Sequence, residues 1–140
     1  MKPAKFGCVD ISTVKNPLNP WDSKPLSNIL VVYLGGCNSF LNPCLPQGFV
    51  DKGAQSAVGW KVKLNSINPF RDEAPHRAFW YTLCGDKMKK IVGKTVQEAA
   101  KAAGETYRGL LDLGWPLRPS WDTYVGVVGK GDVKLHDFHN

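Results

Sequence analysis

Six consecutive apolar residues closed by a glycine pair, Ile29-Leu30-Val31-Val32-Tyr33-Leu34-Gly35-Gly36, constrain this chain more than any other stretch. The run is mostly β-branched or aromatic and shows no polar alternation. That pattern reads as a strand buried on both faces of a parallel sheet. The glycines let the backbone turn sharply where the strand ends. In open α/β sheets the ligand crevice lies at the carboxyl ends of the strands, so Cys37, next in sequence, stands where an α/β enzyme would present a nucleophile. A small hydrophobe buried for packing is the competing reading of the same cysteine.

The length of 140 residues suits one domain. Hydrophobic and charged contents of 43% and 21% are those of a globular chain rather than a disordered one. No apolar run approaches the roughly 20 residues of a membrane span, and the first residues lack the apolar segment of a secretion signal. A cytoplasmic location with no membrane partner is the default expectation. Cys8, Cys37, Cys44 and Cys84 show no C-x-x-C spacing, which speaks against a zinc site or redox dithiol, and they are read as free thiols. The net charge of +6 is densest at Lys87, Lys89, Lys90 and Lys94. Without interleaved aromatics that cluster reads as a solvated face, so a nucleic-acid partner is not expected.

Residues 1–28 form an irregular leader, with a possible short edge strand at 5–12 and a proline-rich loop after it. Residues 29–135 form the domain, and 136–140 a tail. Within the domain a short helix is expected at 45–52, with Pro46 in its first turn and Gly53 beyond its end. A second strand spans 55–62, where Gly59 suggests close approach of another backbone or a ligand. A polar loop covers 63–72, and a helix capped by Asp72 carries Pro75 in its first turn, an apolar side of Phe79, Trp80 and Leu83, and a stop at Gly85. Thr95-Val96-Gln97-Glu98 is a capping box. Behind it Val96, Ala99, Ala100, Ala103 and Tyr107 repeat at helical spacing, an alanine-rich face suited to packing on a sheet. Strands at 123–128 and 132–135 complete an α/β fold whose first two main strands are parallel.

The order of these motifs resembles the caspase-like superfamily of cysteine peptidases, its gingipain-like and CHAT-domain branches above all. The resemblance rests on an apolar strand ending in Gly-Cys-Asn-Ser, then Phe49-Val50-Asp51-Lys52-Gly53-Ala54, then Ala57-Val58-Gly59-Trp60. The aromatic helix with Phe79 and Trp80, the Thr95–Ala100 segment and Gly131-Asp132-Val133-Lys134-Leu135 follow. It covers residues 29–135. It implies a three-layer sandwich with a mainly parallel sheet, a caspase-like half-domain lacking the N-terminal strands. It implies Cys37 as nucleophile, with its backbone N–H in the oxyanion hole. Trp60, Lys61 and Val62 would line the groove for a peptide or protein substrate. No metal or cofactor is implied.

One departure governs the functional reading. The family's general base is a histidine, usually followed by glycine, some tens of residues before the cysteine, and no histidine precedes Cys37 here. His76 is read as a solvated surface residue beside Arg77, and His136 and His139 lie in the tail, so none is assigned as the base. A cysteine-peptidase-like fragment, inactive unless a second chain supplies a histidine, is the first reading. An interaction module or pseudo-enzyme subunit, pairing through its sheet edge as a homodimer or with a complementary chain, is the second. A phosphate-binding α/β domain ranks below both, because no G-x-x-x-x-G-K-[ST] occurs.

Overall fold

The computed structural model of the protein describes residues 24–64, 69–111 and 119–135, with the side chains of 69–72 left aside. The expected edge strand at 5–12, Cys8, and the tail with His136 and His139 lie outside the described residues.

The fold is a mixed arrangement of helix and strand around a small mixed sheet. Strands β1 (Val31–Leu34), β2 (Ser56–Trp60) and, late in the chain, β5 (Val125–Gly129) form it in the order β1-β2-β5. β1 and β2 are parallel, with Tyr33 beside Val58, while β5 runs antiparallel to β2, with Gly59 beside Gly126. Helix α1 (Cys44–Asp51) links the parallel pair and packs on β2 and β5. Helix α2 (Pro69–Cys84) runs into a small hairpin of β3 (Gly85–Asp86) and β4 (Ile91–Val92), which leads to helix α3 (Val96–Leu110). A 3-10 turn, Trp121–Thr123, precedes β5.

The burial order of the strands is the reverse of what the apolar run suggests. Among the described residues β1 lies at an edge of the sheet and is only half-buried, whereas every residue of β2 is buried. The reason is positional: β2 has a strand on each side, so its small residues are enclosed whatever their hydrophobicity, while β1 is paired on one side among the described residues.

Successive side chains of a strand point to opposite faces. On one face Val58, Trp60 and Val125 join Phe79, Leu83, Val96, Ala99, Ala100, Ala103, Tyr107 and Tyr124 in the core. Tyr33 stacks on Phe79 at 4.2 Å, and Tyr107 meets Trp60 and Tyr124 edge to face. The other face holds the glycine pair. A Cβ on Gly126 would lie 2.5 Å from the Phe40 ring, and one on Gly59 would lie 3.0 Å from Ser39 Oγ and 3.1 Å from Phe40 Cβ. The close approach expected at Gly59 is therefore that of residues 39 and 40.

The capping box forms as the sequence requires. Thr95 Oγ1 accepts the Glu98 N–H, and the Glu98 carboxylate accepts the Thr95 N–H at 2.9 Å. The alanine face of α3 packs on α2 and β5. Three local expectations change. Helix α2 begins at Pro69 inside the expected loop, which leaves Pro75 within the helix, and residues 132–135 form no strand. Val133 O instead accepts the Val96 N–H, so that segment serves the start of α3 rather than the sheet. Cys44 is disulfide-bonded, against the expectation of free thiols, while Cys37 and Cys84 are free and exposed. Four cysteines without paired spacing leave the pairing open in the sequence, and a bond that closes a loop stabilises mainly by restricting the unfolded chain.

Candidate functional site: the turn at the end of the first strand

The site is built from the carboxyl ends of β1 and β2. Beyond Leu34 the chain turns through Gly35 and Gly36, and Asn38 takes a left-handed φ of 54°, a conformation asparagine tolerates better than most residues. The turn is fastened to β2 by backbone and hydroxyl groups. Ser39 Oγ donates to Leu34 O at 2.8 Å and accepts the Trp60 N–H at 3.0 Å. The Asn38 and Phe40 N–H groups donate to Val62 O and Trp60 O at 3.0 and 2.8 Å. Cys37 is thereby held at the strand end, exposed, in contact with the segment expected to line a groove.

The thiol itself is turned toward the protein: Cys37 Sγ donates to Leu64 O at 3.6 Å. Among the described residues no acceptor takes the Cys37 N–H, the condition an oxyanion-hole donor requires. The groove residues sit less openly. The Trp60 side chain is fully buried, and both its backbone groups are engaged by Ser39 and Phe40. Lys61 donates its N–H to Tyr124 O and its ammonium to Asp122 O at 2.9 Å. Val62 O is occupied by Asn38. These groups bind the Cys37 turn and the 3-10 segment that precedes β5, not an added strand.

His76 is not the solvated surface residue expected. It is half-buried, and its Nδ1 hydrogen-bonds the Tyr33 hydroxyl, which also accepts the Trp60 Nε1–H at 3.0 Å. The ring also lies beside the turn, since a Cβ on Gly35 would meet His76 Cε1 at 3.4 Å. Indole can only donate, so of the phenol's two neighbours only the imidazole can accept its proton. The Tyr33 hydroxyl thus bridges the indole of β2 and the imidazole of α2, and it engages Nδ1 of His76. Burial pushes the Tyr33 phenol up to about 12, against the smaller opposing pull of the Trp60 N–H.

Two features of this site were missed in the sequence, for different reasons. His76 stands three residues before Phe79 and seven before Leu83, which places it on the buried side of α2, a signal overlooked in favour of its neighbour Arg77. The meeting of Tyr33, Trp60 and His76 joins residues 27 and 43 positions apart, and no local pattern encodes it.

An open depression of about 490 Å3 lies elsewhere, lined by Thr95, Glu98, Lys101, Trp121 and Asp132 among others, and shares no residue with the Cys37 turn. Among the described residues no group of histidines, cysteines and acids is placed to hold a metal. No protein-family model matches the chain, and comparison with curated proteins and with solved structures likewise returns no match.

Proposed function

We propose that this protein is a cysteine-peptidase-like unit of caspase type, a half-domain of a three-layer, mainly parallel sandwich, with Cys37 at the nucleophile position and no catalysis on its own. The observation that carries the reading is the pairing of an exposed Cys37 and its unengaged N–H with an imidazole whose Nδ1 is committed to Tyr33. A cysteine attacks as its thiolate and needs a neighbouring base to take the proton. The imidazole beside the turn has its Nδ1 on the Tyr33 hydroxyl rather than on the Cys37 sulfur. The parallel β1–β2 pair and the helix between them support the fold half of the proposal.

Labelling tests it directly. In a Cys84→Ser background, Cys37 should react with iodoacetamide at pH 6 at the slow rate of a free thiol, and peptide substrates should stay intact. Rapid labelling at pH 6 that disappears in His76→Ala would overturn the inactive reading and make His76 the base.

A second reading, an interaction module pairing through its sheet edge, is favoured by β1, which has one strand neighbour among the described residues. A homodimer or a complementary chain would supply the other, and sedimentation over a range of concentrations measures it. Among the described residues no helix is long and apolar enough to cross a membrane. The Cys44 disulfide weighs against the cytoplasmic location expected from the sequence, because such bonds persist mainly in oxidising compartments.

A further inference from the structure

The β3–β4 hairpin combines two properties that the solvated-face reading of its lysines does not explain together. Met88 is 95% exposed, and Val92 and Ile91 are 58% and 39% exposed. Lys87, Lys89, Lys90 and Lys94 are exposed around them. The one acid of the hairpin is folded into its turn. Asp86 Oδ1 accepts the N–H groups of Met88 and Lys89 at 3.0 and 3.2 Å, and its other oxygen reaches only Lys89 Nζ, at 4.0 Å.

This tip is held in one shape. The Lys90 N–H donates to Lys87 O at 3.2 Å, which puts Met88 and Lys89 at the corner of the turn. Lys90 takes a left-handed φ of 56°, a conformation that glycine or asparagine adopts more easily. Gly85 at φ 72° lets Ile91 O pass where a Cβ would stand. The base is fixed to the last turn of α2 by the Lys94 N–H on Thr82 O at 2.8 Å, and in the same part of that helix Trp80 and Tyr81 are themselves over two-fifths exposed.

We propose that this hairpin docks the protein on an anionic phospholipid surface, with Met88 entering the headgroup boundary and the four lysines meeting lipid phosphates. Charge complementarity selects the partner. Amines with their only acid turned inward favour an anionic surface, and apolar side chains among them gain by entering the acyl boundary, as in interfacial segments generally. Exposed Trp and Tyr suit the same depth. A nucleic acid would favour aromatic platforms interleaved with the amines, and the lysine-bearing tip itself offers Met88, Ile91 and Val92 instead, with Trp80 and Tyr81 back on the helix. Surface docking departs from the expectation of no membrane partner, and it requires no membrane-crossing helix.

Sedimentation of the whole chain with vesicles tests the proposal. Binding is expected to phosphatidylcholine vesicles containing phosphatidylserine, weaker at raised salt, and absent with phosphatidylcholine alone. Each lysine changed to glutamine should weaken partitioning about fivefold, the equivalent of ~1 kcal/mol per residue near such a surface. Lys90→Gly should show the same weakening with an unfolding temperature unchanged or raised, because glycine accepts the left-handed turn, which separates lost docking from lost folding. Met88→Glu should abolish binding, and Met88→Leu should retain it. Three results would overturn the proposal: no binding to anionic vesicles at low salt, equal binding of Met88→Glu and the natural chain, or displacement from vesicles by polyuridylate or an acidic peptide at matched charge.

Discussion

On one face of the sheet Tyr33, Trp60 and Val125 meet rings and aliphatic chains from α2 and α3; on the other, Gly59 and Gly126 lie side by side under Phe40. The first face is filled by large side chains and contains a polar chain of indole, phenol and imidazole. The second is filled by withholding side chains, so that residues 39 and 40 press directly onto the strands. The contrast explains how the site is held. The imidazole of His76 is positioned from the ring face, and the turn bearing Cys37 is fastened from the glycine face. Two independent packing arrangements therefore converge on one strand end.

Substitutions in each face measure how separate they are. The largest effect is expected from Phe79→Ala, because Phe79 is fully buried and stacked on Tyr33. A loss of about 3–5 kcal/mol in denaturant unfolding follows from the cavity it leaves, while the labelling rate of Cys37 in the folded protein should change little. Gly126→Ala should cost about 1–3 kcal/mol by overpacking against Phe40. Adding Phe40→Ala should recover part of that loss, a non-additivity expected only of groups in contact. Full additivity would mean that the Phe40 ring is not what closes the space over Gly126.

Tyr33→Phe removes the hydroxyl that both Trp60 Nε1 and His76 Nδ1 use, for a cost of about 1–3 kcal/mol from the groups left without it. The same phenol carries a pH signature. Its pKa is raised from 10.0 to about 12 in the fold, so the associated stability is intact below about pH 10 and is lost as the pH rises through about 12. That loss is at most about 2–3 kcal/mol and should be absent in Tyr33→Phe. A tyrosinate absorbance titration should show one tyrosine ionising late.

The smallest effect is expected far from both faces. Thr95→Ala should cost ~1 kcal/mol by loss of the cap. In the natural chain the Thr95 N–H and hydroxyl hold the Glu98 carboxyl below the usual glutamate range. The stability linked to Glu98 is thus present above that range and lost as the pH falls through its lowered pKa. Thr95→Ala keeps the backbone N–H, the larger cause, so it should lessen that acid limb without abolishing it and without altering Cys37 labelling.

The helices were legible where a local device specifies them. Thr95 and Glu98 mark the start of α3 by a motif that needs no tertiary partner, and its alanine spacing marks the buried face. α1 was expected at 45–52 and spans Cys44–Asp51. Three strands were found in nearly the right places, and the one expected at 132–135 is absent. Hydrophobicity identified residues 29–34 as the innermost ribbon, yet the centre of a sheet is defined by neighbours on both sides, and that position fell to Ser56–Trp60. At the site, the placement of Cys37 beyond the first strand was legible from the glycine pair. The clamp by Ser39 was not, because a single hydroxyl bridging Leu34 and Trp60 leaves no periodic trace. Nor was the antiparallel β5, since nothing in its own residues sets its direction.

The hydroxyl of Ser39 has a consequence for how this molecule changes over generations. By tying the carbonyl of Leu34 to the amide of Trp60, it seals the two strands beneath the turn, leaving residues 35–37 as a loop whose composition the sheet does not depend on. Drift in that loop is then invisible to folding, and a thiol kept there across related chains would record selection on chemistry or contact rather than on architecture.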